Sequence, residues 1–522
     1  MEYSENSEDR EGSFWLPLFV VVLGAFAAIL NNSSVNVALP KLMAIFGVPA
    51  DEIQWVLTAY MLASGVVIPV TGYLGDTYGN KRTYLAALTL FTAGSVLCGL
   101  AWSNSSMVVA RIIQGIGGGA IMPVSMVIIY KMVPRNMIGL ALGVWGMAAV
   151  TAPAIGPTLG GYVVEHLDWR FLFTMNVPVG VLGIILGSMF LAENKLKKGL
   201  KFDYWGFITS TLGCLALLLA LSQGQKEGWD SLYIVSLLIT SFFMLLIFVL
   251  IELSIPEPML DLRIFKNVTF SISVFGGSLI NIGLFGGVFL IPLFTQNLMG
   301  KSAMETGLIL MPAALVSAAM MPLSGALFDR MGARLITLVG LVILAWGTWE
   351  FKNLSADSTA LYITVLAAIR SVGMGLSMIP MTTAGMNTIH PAEVGRASAL
   401  NNVCRQVAAS FGIAILTTVM QSRQAFHFAY LGESVSVASP TAPALIQQLG
   451  GVLGAAAGFS PAAGREAALA LVSGLAAKQS MVLAIDDTFI VSALLIALAI
   501  PTSLFLGGWK RKEDLPRPSN SK

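Results

Sequence analysis

About fourteen apolar stretches, each roughly 20 residues long, follow one another from Phe14 to Gly508. A helix needs about 20 mostly apolar residues to cross the roughly 30 Å of hydrocarbon in a bilayer. Charged residues make up 11% of the chain and apolar residues 56%, whereas soluble domains carry about 25% charged residues. No soluble fold of this length could bury so much apolar surface. The sequence therefore predicts an all-α membrane protein that crosses the bilayer many times.

The basic residues between the spans predict the orientation of the chain. If the N-terminus is cytoplasmic, the inside segments hold more than twice as many Lys and Arg residues as the outside segments, which is the bias that sets topology. We therefore expect an even number of spans in the plasma (inner) membrane, with both termini cytoplasmic. The predicted spans are 14–38, 52–75, 83–102, 106–130, 137–163, 171–192, 204–222, 231–252, 269–298, 304–327, 335–352, 359–383, 397–420 and 487–508.

Two segments of the chain recur in the same order. A glycine-rich loop with an aspartate, at residues 72–82 after the second span, returns at residues 325–334 after the tenth. Proline-containing segments at 122–125 and 379–382 lie at nearly matching offsets within spans 4 and 12. Spans 1–6 and 9–14 are therefore predicted to be two parallel copies, with spans 7 and 8 inserted between them. Repeated halves with a site between them are typical of secondary transporters.

The repeat divides the chain into predicted segments. The long outer loop within the second copy is rich in Ala and Gly but interrupted by prolines, and we interpret it as an external helical hairpin. The segments are a cytoplasmic tail 1–13, an N-terminal six-helix bundle 14–192, a linker with two extra helices 193–268, a C-terminal six-helix bundle 269–508 that includes the outer loop 421–486, and a cytoplasmic tail 509–522.

The repeated loop predicts a gate. Its glycines let two helix ends approach and turn within a few residues. Its aspartate can accept a cation or cap a helix, and its basic residues can latch one conformation and release it in another. An ordinary tight turn with positive-inside charges is the alternative, and the second copy favours the gate. The predicted gate residues of the two loops are Gly72, Asp76, Gly79, Lys81, Arg82, Asp329 and Arg330.

These loops resemble the signature between spans 2 and 3 of the major facilitator superfamily. Further stretches resemble the fourteen-span drug:proton antiporters of EmrB/QacA type within it. They lie at residues 111–120, 152–161, 169–180, 258–267 and 395–406. The resemblance implies the major facilitator fold, with two six-helix bundles plus two inserted central helices. It also implies export by alternating access with proton antiport, and in this family the span 4 arginine, here Arg111, is implicated in coupling.

The glycines and prolines of the span 5 motif also suggest a role from their physical properties, independently of the resemblance. Glycines expose bare backbone on one face, so that a neighbouring helix can approach closely, and proline bends the helix. Such an interface could let two bundles rock, or it could be plain small-residue packing. The residues concerned are Gly156, Pro157, Gly160 and Gly161.

Polar side chains inside the spans predict a substrate cavity. Arg111, Arg370 and Arg405 are the basic residues within the spans, and an intramembrane charge normally faces a cavity or a partner. Arg111 could instead snorkel to the outer surface, and the asparagines of span 1 could join helices rather than line a cavity. The candidate lining residues are Asn31, Asn32, Asn36, Gln54, Trp55, Tyr60, Arg111, Gln114, Asn281, Gln296, Asn402 and Arg405.

The absence of an acid in span 1 bears on coupling. Many relatives carry an aspartate where Asn31 stands, and an asparagine does not titrate. No Asp, Glu or His lies near the middle of a predicted span. We therefore expect proton coupling to use acids at the span ends, and neutral or weakly charged amphiphiles to be preferred over cations. The candidate coupling residues are Asp51, Glu52, Glu165, Asp168 and Glu305.

Together these features predict an exporter of drugs or other lipophilic and amphipathic compounds. The alternatives are an exporter of an endogenous lipid or antibiotic, or a non-transporting sensor on the same scaffold. No HExxH motif, Ser/His/Asp set or metal-ligand cluster is present, so we expect neither an enzyme nor a cofactor or metal. The net charge of +2 does not favour nucleic-acid binding. The long outer loop, 421–486, is a candidate docking site for an external adaptor protein.

Overall fold

The computed structural model describes residues 14–193, 202–355, 357–434, 442–457 and 460–506, and the two predicted tails lie outside these ranges. Its secondary structure is helical throughout the described part of the chain. The α-helices are α1 Trp15–Phe46, α2 Ala50–Ile53, α3 Trp55–Val67, α4 Thr71–Tyr78, α5 Asn80–Gly99, α6 Asn104–Met132, α7 Ile138–His166, α8 Phe171–Thr174, α9 Asn176–Phe190, α10 Tyr204–Glu227, α11 Leu232–Ser254, α12 Val268–Asn297, α13 Ala303–Met331, α14 Ala333–Glu350, α15 Ala360–Met386, α16 Val394–Ser434, α17 Ala442–Ala457, α18 Pro461–Ala497 and α19 Ile500–Leu504. Short 3₁₀ turns cover Ile68–Val70, Leu262–Lys266 and Phe351–Asn353.

Within the described residues, 13 helical segments are long and apolar enough to cross a membrane. Helices that follow one another without a loop form single segments, such as Ala50–Tyr78 and Pro461–Leu504. The predicted third span forms α5, a 20-residue helix that is not among the 13. Polar residues in its first turn, Asn80, Lys81, Arg82 and Thr83, lower its apolar character. The chain is a multi-pass membrane protein, and the count of fourteen spans stays a prediction.

Local sequence signals set several helix ends. Ser103 caps α6, where its hydroxyl accepts from the backbone N–H of Ser106 and the Ser106 hydroxyl accepts from the backbone N–H of Ser103. Ser302 and Glu305 form the same reciprocal pair at the start of α13. The turn between α13 and α14 is made at Gly332, whose φ of 81° lies in the left-handed region that suits glycine.

Each repeat folds into a six-helix bundle held by contacts at glycine. In the first bundle, Gly117 of α6 lies against the backbone of α5 at Ala87 and Phe91. In the second bundle, Gly373 of α15 lies in the same way against the backbone of α14 at Leu344. A methyl group at either glycine would overlap with the neighbouring backbone. Because lipid is as apolar as the helix surfaces, close packing of this kind stabilises membrane bundles.

The two inserted helices lie between and beside the bundles. α10 packs against both α3 and α16, so it contacts both copies. α11 presents large apolar side chains on its outer surface, with Leu232 87% exposed and Phe242 64% exposed. Such a surface fits lipid contact. The boundaries of the linker at 193 and 268 stay predictions.

The bundles meet at the ends of the helices that carry the two repeated loops, which we call the motif end. Gly139 and Gly143 at the start of α7 face Gly325 and Met321 near the end of α13. On the other side of the interface, Gly72 lies against the backbone at Gly395. Both described ends of the chain also lie here, since Phe14 shares a buried cluster with Ile138 and Leu506 shares one with Ala333.

The opposite side, which we call the hairpin end, carries the predicted outer hairpin. α16 continues through residue 421 as one helix to Ser434, and α18 begins at Pro461, well before the predicted span at 487–508. Between them, α17 packs on α18 where Gly450 meets Gly464. The described part of residues 421–486 is therefore helical, and it extends two spans beyond their predicted ends.

The glycine contact at the motif end generates a prediction about stability. In Gly325→Ala, the added methyl would overlap with the carbonyl of Gly139, and relieving such overpacking costs about 1–3 kcal/mol. We expect a lower melting temperature in detergent and a more accessible motif end, measured by labelling of a cysteine introduced beside Gly143. Gly277→Ala is the matched control, because no atom lies within 4 Å of the site of its methyl. Equal melting temperatures and labelling rates in the two variants would contradict the prediction.

Candidate functional site

A cavity of about 200 Å³ lies between the two bundles. Both copies contribute to its wall, the first through α1, α6 and α7, and the second through α12, α13, α15 and α16. Five methionines lie in the wall together with Trp145 and several aliphatic side chains, and the methionines are Met122, Met126, Met321, Met374 and Met378. Because methionine is flexible and polarisable, such a wall can repack around apolar ligands of different shapes.

Two of the predicted lining residues reach this cavity. Asn281 and Arg405 lie in its wall, and Asn402, one turn before Arg405, is 8% exposed and donates to the Ser398 carbonyl. The amide of Asn281 donates to the Gly277 carbonyl within its own helix at 2.7 Å. Arg405 makes no hydrogen bond or ion pair with any described residue. The sequence did not single out Trp145 or the individual methionines, because helical spacing alone does not show which face meets the other bundle.

The other predicted lining residues fall into two groups outside this cavity. One group is exposed on the half of the bundle nearer the hairpin end, and it comprises Asn32, Asn36, Gln54, Trp55 and Gln296. The second group surrounds Arg111 and is buried, and it comprises Asn31, Tyr60 and Gln114. Asn31 and Asn32 both accept from Arg111, whereas Asn36 donates to the Asn32 carbonyl within its own helix. Their role as cavity-lining or helix-joining residues stays a prediction.

Arg111 is fully buried and hydrogen-bonded inside the first bundle. Its Nε donates to the Val56 carbonyl at 2.9 Å, and one Nη donates to Asn31 at 2.7 Å and to Gln114 at 2.6 Å. Its guanidinium carbon lies 4.2 Å from the ring centroid of Tyr60, a cation–π contact. The side chain therefore does not snorkel to the surface. It joins three helices of the bundle around one charge.

The second bundle holds its own arginine in a similar way. Arg370 of α15 donates from Nε to the hydroxyl of Thr348 at 3.1 Å and from Nη2 to the Leu284 carbonyl at 3.0 Å. Carbonyl and hydroxyl partners thus suffice to hold this side chain, as expected for an intramembrane charge that faces a partner. Both bundles therefore contain a buried arginine whose donors are used within the protein.

At the motif end, Asp329 of the second bundle caps a helix of the first. Its two carboxylate oxygens accept from the backbone N–H groups of Gly139 and Leu140, each at 3.0 Å. These N–H groups belong to the first turn of α7 and have no partner within that helix. A carboxylate at a helix N-terminus also complements the helix dipole. The predicted gate residue therefore makes a direct electrostatic link between the bundles.

Asp76 occupies the corresponding place on the other side of the interface. It is 5% exposed, and its Oδ1 lies 3.6 Å from the position that a Cβ on Gly395 would take. Gly395 is in the first turn of α16, as Gly139 is in the first turn of α7. The two aspartates of the repeated loops therefore each lie at the start of a helix in the opposite bundle. The sequence predicted the loops but not these partners, since both partners lie far along the chain.

The other gate residues of the repeated loops include a buried glycine and three basic residues at the surface of the motif end. Gly79 has a φ of 93° and starts the turn into α5. Lys81 donates to the Ser188 carbonyl at 2.7 Å, and Arg82 pairs with Glu193 at 3.4 Å. Ser188 belongs to the first bundle and Glu193 to the predicted linker, and Arg330 is exposed. An exposed pair of this kind contributes little stability, so the capping aspartates are the stronger part of the predicted gate.

The span 5 glycines face a helix of their own bundle. A methyl at Gly156 would overlap with Ser33 of α1, and one at Gly160 would lie 2.7 Å from the Ser34 carbonyl. Pro157 is partly buried, and Gly161 has open space at the site of its absent side chain. Close approach between the bundles involves the glycines at the start of α7 and, within the span 5 motif, Thr158, which lies against Gly307 of α13. The gating role of the span 5 motif stays a prediction, since Gly156 and Gly160 pack within the first bundle.

The predicted coupling acids are all exposed at helix ends. Asp51 lies 3.9 Å from Lys226, Asp168 accepts from the Arg170 backbone N–H at 2.9 Å, and Glu305 lies 3.1 Å from Lys301. Glu52 and Glu165 are exposed as well. None of the five lines the cavity between the bundles, and their role in coupling stays a prediction.

The acidic pair Asp486 and Asp487, near the hairpin end, is not among the residues predicted from the sequence. Asp487 of α18 accepts from Arg423 at 2.6 Å and lies 2.7 Å from His427 Nε2, both on α16. Asp486 has a buried oxygen without a hydrogen-bond partner. The signal in the sequence is an Asp-Asp pair at the start of the last predicted span, together with Arg423 and His427, which are four residues apart on α16.

The sequence model described as Major Facilitator Superfamily matches residues 21–413. The chain belongs to the major facilitator superfamily. It is therefore a transporter rather than an enzyme, and it handles small substrates within the membrane.

Named relatives and solved structures agree with this assignment. The chain is 35% identical to the Bacillus subtilis protein called uncharacterized MFS-type transporter YhcA, over 97% of both chains. It is 31% identical to the multidrug transporter protein MdtP of the same organism, over 80% of this chain and 77% of that one. The fold is similar to that of the proton:xylose symporter XylE, with a TM-score of 0.61 at 14% identity, over 96% of this chain and 97% of that one.

The capping carboxylates generate a prediction about gating. Asp76→Asn and Asp329→Asn should each cut transport about 10-fold or more while the protein stays folded. In Asp329→Asn, an amide would accept the two backbone N–H bonds without the full charge, and a hydrogen bond to a charged group contributes about 1.5–3 kcal/mol. Asp76 lies at the corresponding helix start beside Gly395. Transport in vesicles and melting temperature are the measurements. Glu350→Gln, at the hairpin end, is the control with the same chemical change, and wild-type transport in both aspartate variants would refute the gate.

The Arg111 network generates a second prediction. Arg111→Lys keeps the charge but loses the planar fork that bonds Val56, Asn31 and Gln114 together. We expect a transport rate at least about 10-fold lower, because the lost bonds leave buried acceptors unpaired. Arg465→Lys makes the same substitution on the exposed face of α18 and should transport normally. Full activity in Arg111→Lys would show that charge alone is sufficient.

Proposed function

We propose that this protein exports drugs or other lipophilic and amphipathic compounds across the plasma membrane by alternating access. We place it with the fourteen-span antiporters of EmrB/QacA type, with both termini and the motif end in the cytoplasm and protons as the coupling ion. In this orientation the structure is closed towards the cytoplasm. The proposal carries over the multidrug role named for MdtP and the lincomycin resistance named for the Listeria monocytogenes relative LmrB.

The observation that carries the proposal is a methionine-lined cavity whose motif end is closed by reversible contacts. Asp329 bonds the start of α7 through two hydrogen bonds, and Ser398 donates to the Pro123 carbonyl across the same interface at 3.1 Å. These bonds can exchange for water at the membrane surface, so the bundles can separate there without unpacking their own cores. An adaptable wall behind a separable closure suits an exporter of varied apolar compounds.

Proton coupling in this transporter has to use acids outside the cavity between the bundles, because no acid is among the described residues of its wall. Asn31 occupies the place of the expected acid, and its side-chain oxygen accepts from Arg111 at 2.7 Å. The acids available to a proton from outside are the exposed residues at span ends and the pair beside His427. The predicted adaptor at residues 421–486 gains no support from the described helices of that segment, so it is not part of the proposal.

The test is transport by purified protein in proteoliposomes with imposed pH and voltage gradients. We expect accumulation of a lipophilic dye that depends on the motif-end aspartates and falls when the gradients are collapsed. A protein that binds the dye and never moves it would be a sensor, and the proposal would fail. A protein that moves the dye with no response to pH would keep the export role and lose proton coupling.

Asn31→Asp generates the prediction specific to coupling. An acid beside Arg111 would titrate where the amide cannot, so we expect a steeper dependence of transport on pH and faster export of a cationic dye. Asn36→Asp is the control, because Asn36 is exposed and does not contact Arg111. Equal pH profiles in the wild type and in Asn31→Asp would contradict the prediction.

A further inference from the structure

Arg405 differs from the other two arginines within the spans because its donors are not used by the protein. Arg111 and Arg370 donate to carbonyls, amides and a hydroxyl. Within the described residues, Arg405 has no hydrogen bond, ion pair or aromatic ring contact. It is also partly accessible, since its side chain lies in the wall of the cavity between the bundles.

The position of Arg405 puts this charge near the middle of the membrane. It lies 11 residues after Val394, where α16 begins at the motif end, and 11 residues of helix span about 16 Å. That is about half of the hydrocarbon thickness. A guanidinium stays protonated in proteins, so the cavity holds a lasting positive charge in an environment where an isolated charge is costly.

The rest of the cavity wall supplies no negative charge. Among the described residues that line it, Arg405 is the one charged side chain. The hydroxyl of Thr382 donates to the Met378 carbonyl at 3.1 Å, and the indole N–H of Trp145 donates to Ser125 at 3.0 Å. Thr382 thus bonds within its own helix and Trp145 bonds a neighbouring helix, while the neutral hydroxyl of Thr383, also in the wall, has no hydrogen-bond partner within the described part of the chain. The fork of Arg405 is therefore the strongest free hydrogen-bond donor in the cavity.

We propose that Arg405 binds the anionic group of a lipophilic anion, such as a carboxylate or a sulfonate on an apolar body. The planar fork matches an oxyanion with two parallel hydrogen bonds, and the methionines and Trp145 contact the body. The inference rests on the proposed export function for its setting and narrows the substrate class. It also extends the expectation that cations are disfavoured to a preference for anions.

Two fluorescent probes with the same skeleton provide the test. 1-Anilinonaphthalene-8-sulfonate is an anion at every accessible pH, and N-phenyl-1-naphthylamine is the same ring system without the sulfonate. Binding is measured by fluorescence with full-length protein in lipid nanodiscs, with empty nanodiscs as background. We expect the wild type to bind the anion about 10-fold more tightly than the neutral probe.

The variants assign that preference to one side chain. Arg405→Met should weaken anion binding about 10-fold or more and leave binding of the neutral probe within about 3-fold. Arg405→Lys should show intermediate anion binding, since it keeps the charge without the fork. Lys266→Met makes a comparable charge change on an exposed turn and should bind both probes normally. Unchanged anion binding in Arg405→Met, or equal loss of both probes in folded protein, would overturn the proposal.

A measurement on the wild type alone keeps the test decisive if Arg405→Met does not fold. Derivatives of one naphthyl body that end in a carboxylate, a primary amide or a trimethylammonium group should bind in that order. Binding of the cation as tight as that of the carboxylate would refute the anion site. Vesicle assays separate the two proposals. Anion binding without movement of either probe would refute export alone. Export confined to the neutral probe would refute the anion site alone.

Discussion

The lipid core of a bilayer offers no hydrogen-bonding partner, and this constraint explains most of the polar architecture of the protein. Backbone groups are satisfied within helices. Polar side chains inside the spans must find partners in the protein, and Arg111 does so with donors to α1, α3 and its own helix. Each such site fixes the relative position of several helices, so the polar groups define rigid bundles while apolar contacts fill the space between them.

The same constraint identifies where the protein can move. The bundles are joined at the motif end by groups that remain satisfied when separated, because water can replace the N–H donors of Gly139 and Leu140 around Asp329. The glycines there bring the backbones of the two bundles into direct contact. By contrast, if Arg111 lost its partners, its charge would remain buried without compensation. The two classes of polar contact therefore distinguish the interface at which we propose that the bundles separate from the contacts within each bundle.

Arg405 is the exception that connects this architecture to ligand choice. Its charge lies at the cavity, with no polar partner among the residues that the structure describes, next to a wall of methionines. A ligand that supplies the missing negative charge would complete the polar network of the membrane interior, and one that lacks it would gain only apolar contact. Ligand selectivity would then follow from the same requirement that holds the helices together, namely that each buried polar group has a partner.

The sequence by itself determined the membrane setting, the helical class and the repeated loops. These depend on local properties, namely the length of apolar runs and the spacing of glycine, proline and charge, which one segment carries alone. It also placed Asn31, Arg111 and the two loop aspartates among the polar groups that matter, because polar residues are rare in such spans. The count of fourteen spans stays a prediction, since α5, whose first turn is polar, is not among the 13 described segments that are apolar enough to cross a membrane.

Only the tertiary structure decided how these groups pair. Asp329 meets Gly139 across 190 residues, and Arg111 meets Asn31 across 80, and no local pattern specifies such partners. The extent of the hairpin helices and the acidic pair at Asp487 also depended on how α16 and α18 pack. Arg111, Arg370 and Arg405 look alike in the sequence. The packing of neighbouring helices uses the donors of the first two and leaves those of the third facing a cavity.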